Sequence, residues 1–105
     1  MYKLVAIDLD GTLLNSYGEV SNENKQAIKR AINKGVEIVL SSGRIGNSVE
    51  SIANELGANN YYISGNGSML YNMKEEKIEY ENFISKEKML KLIKICDENS
   101  IYYSI

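Results

Sequence analysis

The chain has 105 residues, of which 12 are basic and 14 acidic, so its formal net charge is −2. It therefore lacks the excess of basic residues that would favour nucleic acid or a lipid surface as a partner. Hydrophobic residues make up 44% of the chain and charged residues 25%, which excludes a disordered composition. The chain contains no histidine, which excludes imidazole catalysis and histidine-ligated zinc. It contains one cysteine, Cys96, which excludes an internal disulfide.

The amino-terminal segment is not predicted to be a targeting signal. Its apolar run covers residues 4–7 and ends at Asp8, which is too short for a signal peptide. No stretch approaches the roughly 20 apolar residues of a membrane span. We therefore expect a cytoplasmic protein with no membrane partner.

Short apolar runs alternate with helical patterns over the first 64 residues. Ser21 is a good N-cap for a first helix, and Gly35 and Gly57 are positioned to end two helices. The predicted elements are, in chain order, a strand at 4–9, a loop or small flap at 12–20, a helix after Ser21, a strand at 36–40, a helix at 45–56 and a strand at 61–64.

This order of elements predicts an α/β fold with a parallel sheet and right-handed crossovers. The carboxyl ends of parallel strands meet at one edge of a sheet, where functional groups collect. We therefore expect the polar residues that follow the three strands to lie together. They are Asp8, Asp10, Ser41, Ser42, Ser64 and Asn66.

The pattern changes after Asn66. Residues 69–73 and 77–82 are predicted to form a β-hairpin around a charged turn. Ser85 is a good cap for a third helix, in which Cys96 belongs to the apolar face and is interpreted as a small core residue. Residues 101–105 are predicted to begin a further strand.

Asp8 and Asp10 are the most informative pair in the sequence. Two aspartates spaced i, i+2 at a strand end can point into one pocket as the chain leaves the sheet, and Gly11 permits a tight turn there. One carboxylate can act as a nucleophile and the other as a general acid and base, and together they can hold Mg²⁺. The structural alternative is an Asp-Gly turn with solvated acids.

Residues 8–12 match the DxDGT motif and thereby resemble the haloacid dehalogenase (HAD) superfamily of aspartyl-phosphate phosphohydrolases. The continuation through residue 14 is similar to the Cof type, whose members act on sugar phosphates and related esters. The resemblance implies a partial Rossmann-like sheet, followed by a β-hairpin and the beginning of an α/β cap. It also implies a small phosphorylated metabolite as the substrate.

The same resemblance implies roles for individual residues. Asp8 would be the nucleophile, and Asp10 the acid that protonates the leaving group and the base that activates water. Leu9, Gly11 and Thr12 would contact phosphate or substrate. Mg²⁺ would be held by the Asp8 side chain and the Asp10 backbone carbonyl.

The second and third loops carry weaker signals of their own. A hydroxyl and a glycine between a strand and a helix favour an anion site, although they are also ordinary capping residues. Ser42, Gly43 and Arg44 resemble the Cof-type TGR motif, which implies contact with phosphate or substrate, and Ser41 remains an alternative for the hydroxyl. Asn66 begins an Asn-Gly pair that resembles the family's third loop and either contacts substrate or shapes the turn.

The family's remaining motifs, a lysine and an acidic cluster similar to GDxxND, are expected farther along the chain, and residues 70–105 contain nothing similar to the cluster. The resemblance therefore implies that residues 1–84 are the amino-terminal part of the core and that residues 85–105 begin a truncated cap. We expect little activity from this chain alone. The first strand would be an open edge, covered by self-association or by a missing carboxy-terminal part.

Two further hypotheses are compatible with some of these features. A non-catalytic module could keep the start of the fold and bind phosphate or a partner chain. A response-regulator receiver also forms an aspartyl phosphate on a parallel sheet. The position of the aspartate pair in the first strand argues against the receiver, whose phosphoacceptor normally ends a later strand.

Overall fold

The computed structural model describes all 105 residues and contains one five-stranded sheet in the order β1-β2-β3-β4-β5. The first three strands are parallel, and the last two are added antiparallel as a hairpin. This architecture confirms the predicted α/β fold. The strands are β1 Leu4–Asp8, β2 Glu37–Ser41, β3 Tyr61–Ser64, β4 Met69–Asn72 and β5 Lys77–Glu81, and the helices are α1 Asn22–Asn33, α2 Gly46–Leu56 and α3 Lys86–Glu98.

Local signals account for the ends of the first two helices. The hydroxyl of Ser21 accepts the backbone N–H of Asn24 at 3.2 Å and caps α1. Helix α2 ends at Gly57, whose φ of 74° is a left-handed conformation that glycine adopts at little cost. These short connections return the chain directly to β2 and β3.

The core lies between the sheet and the first two helices, on one face only. Successive parallel strands that add in one direction through right-handed crossovers place both connecting helices on the same side. Leu40 of β2 and Val49 of α2 are completely buried there, and Ile28 of α1 and Tyr62 of β3 pack into the same cluster.

The opposite face of the sheet carries no helix. Alternation along a strand sends every second side chain to this side. An apolar depression of about 230 Å³ lies there, between β1 and β4. We call its lining the open face, and it consists of Leu4, Ala6, Val39, Tyr61, Ile63 and Leu70.

The predicted flap and hairpin are both confirmed. Leu14 and Val20 form an isolated antiparallel bridge at the base of the flap. In the hairpin, the buried Asn72 side chain accepts the backbone N–H groups of Lys74 and Glu75, both at 3.1 Å, and so closes the turn.

Three sequence predictions are wrong in detail. Residues 101–105 form no strand, because no strand edge lies beside them to complete a hydrogen-bonding ladder. Leu9 leaves the first strand and enters the turn that follows it. Cys96 is half-buried rather than a core residue, because α3 has no buried residue at all.

None of the three helices combines the length and hydrophobicity that a bilayer-spanning segment requires.

Because the core lies on one face of the sheet, two leucines should differ greatly in how much they contribute to the free energy of unfolding. Leu40→Ala should lower the free energy of unfolding by about 2–5 kcal/mol, because it opens a cavity in the packed layer. Leu92→Ala in α3, where leucine is 53% exposed, should change it by less than about 0.5 kcal/mol. Urea unfolding followed by circular dichroism measures both, and equal losses would contradict the assignment of the core to the helix-covered face.

Candidate functional site

Three loops meet at the carboxyl ends of β1, β2 and β3. The first loop is Leu9–Leu13, the second is 42–45 and the third is Gly65–Gly67. Between them lies an open depression of about 430 Å³. Its lining comprises Ala6, Asp8, Ser41, Ser42, Gly43 and Asn66.

The first loop alternates between exposed acids and a buried anchor. Leu9 is 0% exposed and belongs to the core, whereas Asp8 and Asp10 on either side of it are exposed. Gly11 follows with a φ of 75°, which a side chain would strain. The burial of Leu9 holds the turn in place, and any contact of this residue with a ligand would have to come from its backbone.

Thr12 orients the first carboxylate. Its hydroxyl donates to Oδ2 of Asp8 at 2.9 Å, and this contact spans the turn. The other carboxylate oxygen, Oδ1, accepts no protein hydrogen bond, so it remains available to attack a ligand or bind a cation. The structure thus places Thr12 beside the nucleophile expected from the sequence.

Arg44 forms a bidentate ion pair with the carboxylate of Asp10. Its Nε donates to Oδ2 of Asp10 at 2.8 Å and its Nη2 donates to Oδ1 at 2.7 Å, across 34 residues of sequence. A third contact, from Nη1 to the Ser48 hydroxyl, is longer at 3.4 Å. The sequence predicts Arg44 near a substrate, whereas in the structure it joins the second loop to the first.

This pair shifts the proton equilibria of both partners. The hydrogen bonds from Arg44, more than its charge, hold the pKa of Asp10 below its ordinary value. The pKa of Arg44 is raised for the same reason. At neutral pH the Asp10 side chain is therefore a carboxylate while the pair is closed.

Ser42 is positioned to donate to an anion. Its side chain is 4% exposed, and its Oγ accepts the backbone N–H of Arg44 at 3.1 Å, which leaves the hydroxyl proton free. Ser41 also lines the depression, because it pairs with Asp8 in the register of β1 and β2.

Gly43 lies in the loop that precedes α2. Helix α2 begins at Gly46, three residues later, so Gly43 belongs to a loop and not to the first turn of a helix. Its backbone N–H has no protein acceptor, and Gly43 lines the depression. The predicted helix at 45–56 therefore agrees with the observed α2, Gly46–Leu56.

The third loop is fastened to the second by backbone hydrogen bonds. The N–H of Asn66 donates to the carbonyl of Ser42, and that of Gly65 to the carbonyl of Arg44, both at 3.1 Å. A Cβ at Gly43 would lie 2.7 Å from Oδ1 of Asn66, so any other residue there would displace the Asn66 side-chain amide. Asn66 itself has a φ of 54°, which asparagine tolerates better than most residues.

The residues present match part of a magnesium site. A free carboxylate oxygen on Asp8 and the backbone carbonyl of Asp10 are hard oxygen donors, the type that Mg²⁺ prefers. The structure contains no cluster of three or more acidic, histidine or cysteine side chains, so no further protein carboxylate completes the set. Since Mg²⁺ commonly retains several waters and binds through one or two carboxylates plus substrate phosphate, this donor set fits in type and is minimal in number.

Most of the residues selected from the sequence meet at this one edge of the sheet. Asp8, Ser42, Gly43 and Asn66 share the depression, and the Asp10–Arg44 pair lies in the loops beside it. Two residues of this region were not predicted from the sequence. Ala6 lies two residues before Asp8 in the strand, so its side chain is on the same face of the sheet. Ser48 lies four residues after Arg44 and contacts its guanidinium.

The Asp10–Arg44 pair yields a testable prediction about the pKa of Asp10. Arg44→Gln removes the bidentate donor, so the pKa of Asp10 should rise and its carboxylate should protonate at a higher pH than in the wild type. Carboxyl-detected NMR titration measures this directly. Arg30→Gln in α1 is the matched control and should leave the Asp10 titration unchanged; an identical curve for Arg44→Gln would contradict the geometry.

Comparison with known proteins identifies the family. The model of the haloacid dehalogenase-like hydrolases matches residues 5–105. The chain is 38% identical over 103 residues to phosphatase YwpJ of Bacillus subtilis, covering 98% of itself and 36% of that protein. It is 40% identical over 86 residues to the 5-amino-6-(5-phospho-D-ribitylamino)uracil phosphatase YcsE of the same organism, covering 78% of itself and 34% of the relative.

A solved structure agrees with the sequence relatives. A haloacid dehalogenase-like hydrolase from Bacteroides thetaiotaomicron superposes with a TM-score of 0.88 at 35% identity, over 95% of this chain and 39% of that one. The chain therefore spans little more than a third of the length of the proteins it matches. On this evidence the chain belongs to the haloacid dehalogenase-like hydrolase family, of the Cof type.

Proposed function

We propose that the depression at the ends of β1, β2 and β3 is the phosphate-transfer site of a magnesium-dependent phosphoric monoester hydrolase. The observation that carries the proposal is the position of Asp8. Its side chain is oriented by Thr12 at 2.9 Å, and Asp8 lines the same depression as Ser42, which has a hydroxyl donor, and Gly43, whose N–H has no protein acceptor. A nucleophile and anion-binding donors therefore face one space.

In the first step a carboxylate oxygen of Asp8 attacks the phosphorus atom of the ester. A bond forms between that oxygen and phosphorus, and the bond from phosphorus to the ester oxygen breaks. The departing oxygen takes a proton from Asp10 and leaves as an alcohol. Ser42 and Gly43 bind the phosphoryl oxygens, whose negative charge would otherwise be solvated by water.

In the second step a water molecule hydrolyses the aspartyl phosphate. Asp10, now a carboxylate, takes a proton from the water as its oxygen bonds to phosphorus. The bond between phosphorus and the Asp8 oxygen breaks, which regenerates the Asp8 carboxylate and releases inorganic phosphate.

Asp8 and the Asp10 carbonyl would hold Mg²⁺ in this site. When bound, the cation offsets the repulsion between a carboxylate nucleophile and a phosphate dianion. Asp8 would contribute one oxygen to the cation and use the other for attack. In this arrangement the Thr12 hydroxyl keeps the carboxylate in a single orientation.

The Asp10–Arg44 pair favours the second step over the first. A bidentate arginine stabilises the carboxylate that accepts a proton from water. Delivery of a proton to the leaving group requires this pair to open. A bound phosphate ester competes for the guanidinium, since phosphate and carboxylate both accept two hydrogen bonds from the planar fork of arginine, and so supplies a physical reason for opening.

The class of substrate we propose is a sugar phosphate or a similar small phosphate ester. The relatives' names include a phosphatase that acts on a phosphorylated ribitylamino compound. Residues 1–84 would form the amino-terminal part of the catalytic core, and residues 85–105, which contain α3, would begin a cap. Activity of the 105-residue chain alone should be low, because only two protein oxygens are available to the cation.

An alternative is a non-catalytic module that binds phosphate. The minimal donor set for the cation favours this alternative, because Ser42, Gly43 and Asn66 can bind an anion whether or not Asp8 reacts. The two functions differ in whether a phosphoryl group ever becomes bonded to Asp8.

Formation of the aspartyl phosphate tests the proposal. With Mg²⁺ and an aryl phosphate, the wild-type chain should release aryl alcohol above background, and Asp8→Asn should reduce the rate to background. Borohydride reduction after mixing should convert Asp8 to homoserine, which peptide mass spectrometry detects. Chelation of Mg²⁺ should abolish both signals.

The matched control is Asp97→Asn, an exposed aspartate on α3, which should leave the rate unchanged. Binding of inorganic phosphate is measured in parallel by ³¹P NMR. Phosphate binding with equal hydrolysis rates for wild type and Asp8→Asn would assign the chain to the non-catalytic alternative. Absence of both binding and hydrolysis would refute both functions.

Phosphate binding also distinguishes the two adjacent serines. Ser42→Ala should weaken binding of inorganic phosphate roughly tenfold or more, because it removes a buried hydroxyl donor to a charged acceptor. Ser41→Ala should have the smaller effect, since Ser41 is more exposed and belongs to the end of the strand. The reverse order would assign the anion to Ser41.

A further inference from the structure

The third loop carries a side chain in a backbone conformation that normally favours glycine. Gly65, Asn66 and Gly67 have consecutive φ values of 56°, 54° and 90°. Glycine adopts this left-handed region at little cost, whereas a residue with a Cβ is strained there, asparagine less than most. Strained positions of this kind are concentrated at functional sites, where the surrounding structure holds them in place. The shape of the loop alone would therefore be served better by glycine at position 66 than by Asn66.

Two other asparagines show what a turn-shaping side chain does in this chain. Oδ1 of Asn15 accepts two backbone N–H groups of the flap, at 2.9 and 3.0 Å. Oδ1 of Asn72 accepts two in the hairpin turn, both at 3.1 Å. The side-chain amide of Asn66 forms no hydrogen bond with the protein, and its loop is held instead by the backbone N–H groups of Gly65 and Asn66. Both the donor and the acceptor of the Asn66 amide are therefore free for a ligand.

The free amide lies inside the depression that contains Asp8. A Cβ at Gly43 would lie 2.7 Å from Oδ1 of Asn66, 3.1 Å from Nδ2 and 3.2 Å from Cγ, so the whole amide group packs over the Gly43 backbone. Gly43 and Asn66 both line the depression, and the Gly43 N–H has no protein acceptor. A phosphate ester bound at Gly43 therefore lies next to the Asn66 amide.

The amide offers two kinds of hydrogen bond, and a phosphate dianion can use only one of them. Nδ2 of Asn66 donates and phosphoryl oxygens accept, whereas Oδ1 only accepts and a dianion has no proton to donate to it. A hydroxyl group both donates and accepts, so a hydroxyl on the alcohol part of the ester satisfies the amide in full. None of the six lining residues is basic, so the depression offers no ion-pair partner to a second anionic group of the ligand.

We propose that Asn66 is a specificity-determining residue that recognises a hydroxyl group on the alcohol part of a phosphate ester. This inference rests on the proposed phosphate site, because binding of the phosphoryl group by Ser42 and Gly43 brings the alcohol part to Asn66. It narrows the substrate class to polyol and sugar phosphates, against alkyl and aryl phosphates of the same charge. An ester that lacks the hydroxyl leaves the amide oxygen without a partner, which disfavours its binding.

A comparison of two esters on the full 105-residue chain tests the proposal. Glycerol 3-phosphate and propyl phosphate have the same carbon chain and the same phosphate group, and they differ only in the hydroxyl groups of the first. Dissociation constants are measured by amide NMR titration in Mg²⁺, and ³¹P spectra of the same samples show the fraction of intact ester. The wild type should bind glycerol 3-phosphate roughly three- to tenfold more tightly, which is the range expected for a neutral hydrogen bond.

Asn66→Gly removes the amide and relieves the positive φ, so the loop should keep its shape. The ratio of the two dissociation constants should then fall to about one. Asn59→Gly is the matched control, because Asn59 is exposed and precedes β3 at the opposite edge of the sheet; it should keep the wild-type ratio. Far-UV circular dichroism establishes that both variants retain the fold. In the wild type, the side-chain NH₂ resonances of Asn66 should shift more with glycerol 3-phosphate than with propyl phosphate.

Three results would overturn the proposal. A wild-type chain that binds both esters equally would show that no hydroxyl group is recognised. A preference that persists in Asn66→Gly would assign the hydroxyl contact to another residue of the depression, such as Ser41. Equal weakening of both esters in Asn66→Gly would assign the amide to the phosphoryl group.

Failure of the phosphatase function gives a different pattern of results. If Asp8 forms no aspartyl phosphate but the two esters bind with the expected ratio, recognition by Asn66 stands and belongs to a binding site rather than an enzyme. If neither the esters nor inorganic phosphate bind, the phosphate site is refuted, and recognition by Asn66 is refuted with it.

Discussion

The parallel pairing of β1 with β2 is the constraint on which the rest of the site depends. It sets Asp8 beside Ser41 in register and brings the first and second loops to the same edge of the sheet. The pairing of β2 with β3 adds the third loop, which two backbone hydrogen bonds fasten to the second. The depression that contains Asp8 is therefore a consequence of sheet topology, because parallel strands end together.

At that edge of the sheet, a buried leucine fixes the first loop in place and two aspartates remain exposed. Leu9 is fully buried between Asp8 and Asp10, so the core fixes a loop whose two carboxylates remain in solvent. Thr12 then orients one carboxylate and Arg44 engages the other. The two acids thus have different environments, which is the condition under which a nucleophile and an acid–base group can coexist two residues apart.

The direction of both crossovers has a second consequence. It places α1 and α2 on one face of the sheet and leaves Leu4, Ile63 and Leu70 on the other without a cover. The family relatives are about two and a half times as long as this chain. The three loops at the sheet edge are held together within this span, whereas one face of the sheet has no second layer, because the loops are local to three strands and burial requires two layers.

The sequence by itself determined the order of strands and helices, the hairpin, the flap and the loops whose polar residues meet at one edge of the sheet, because these follow from hydrophobic period, capping residues and the glycines that permit tight turns. It did not determine that Arg44 would bind Asp10 or that residues 101–105 would form no strand. Those outcomes depend on contacts between distant segments. A long side chain takes whichever partner the fold brings near, and a strand forms only where an edge is available to pair with it.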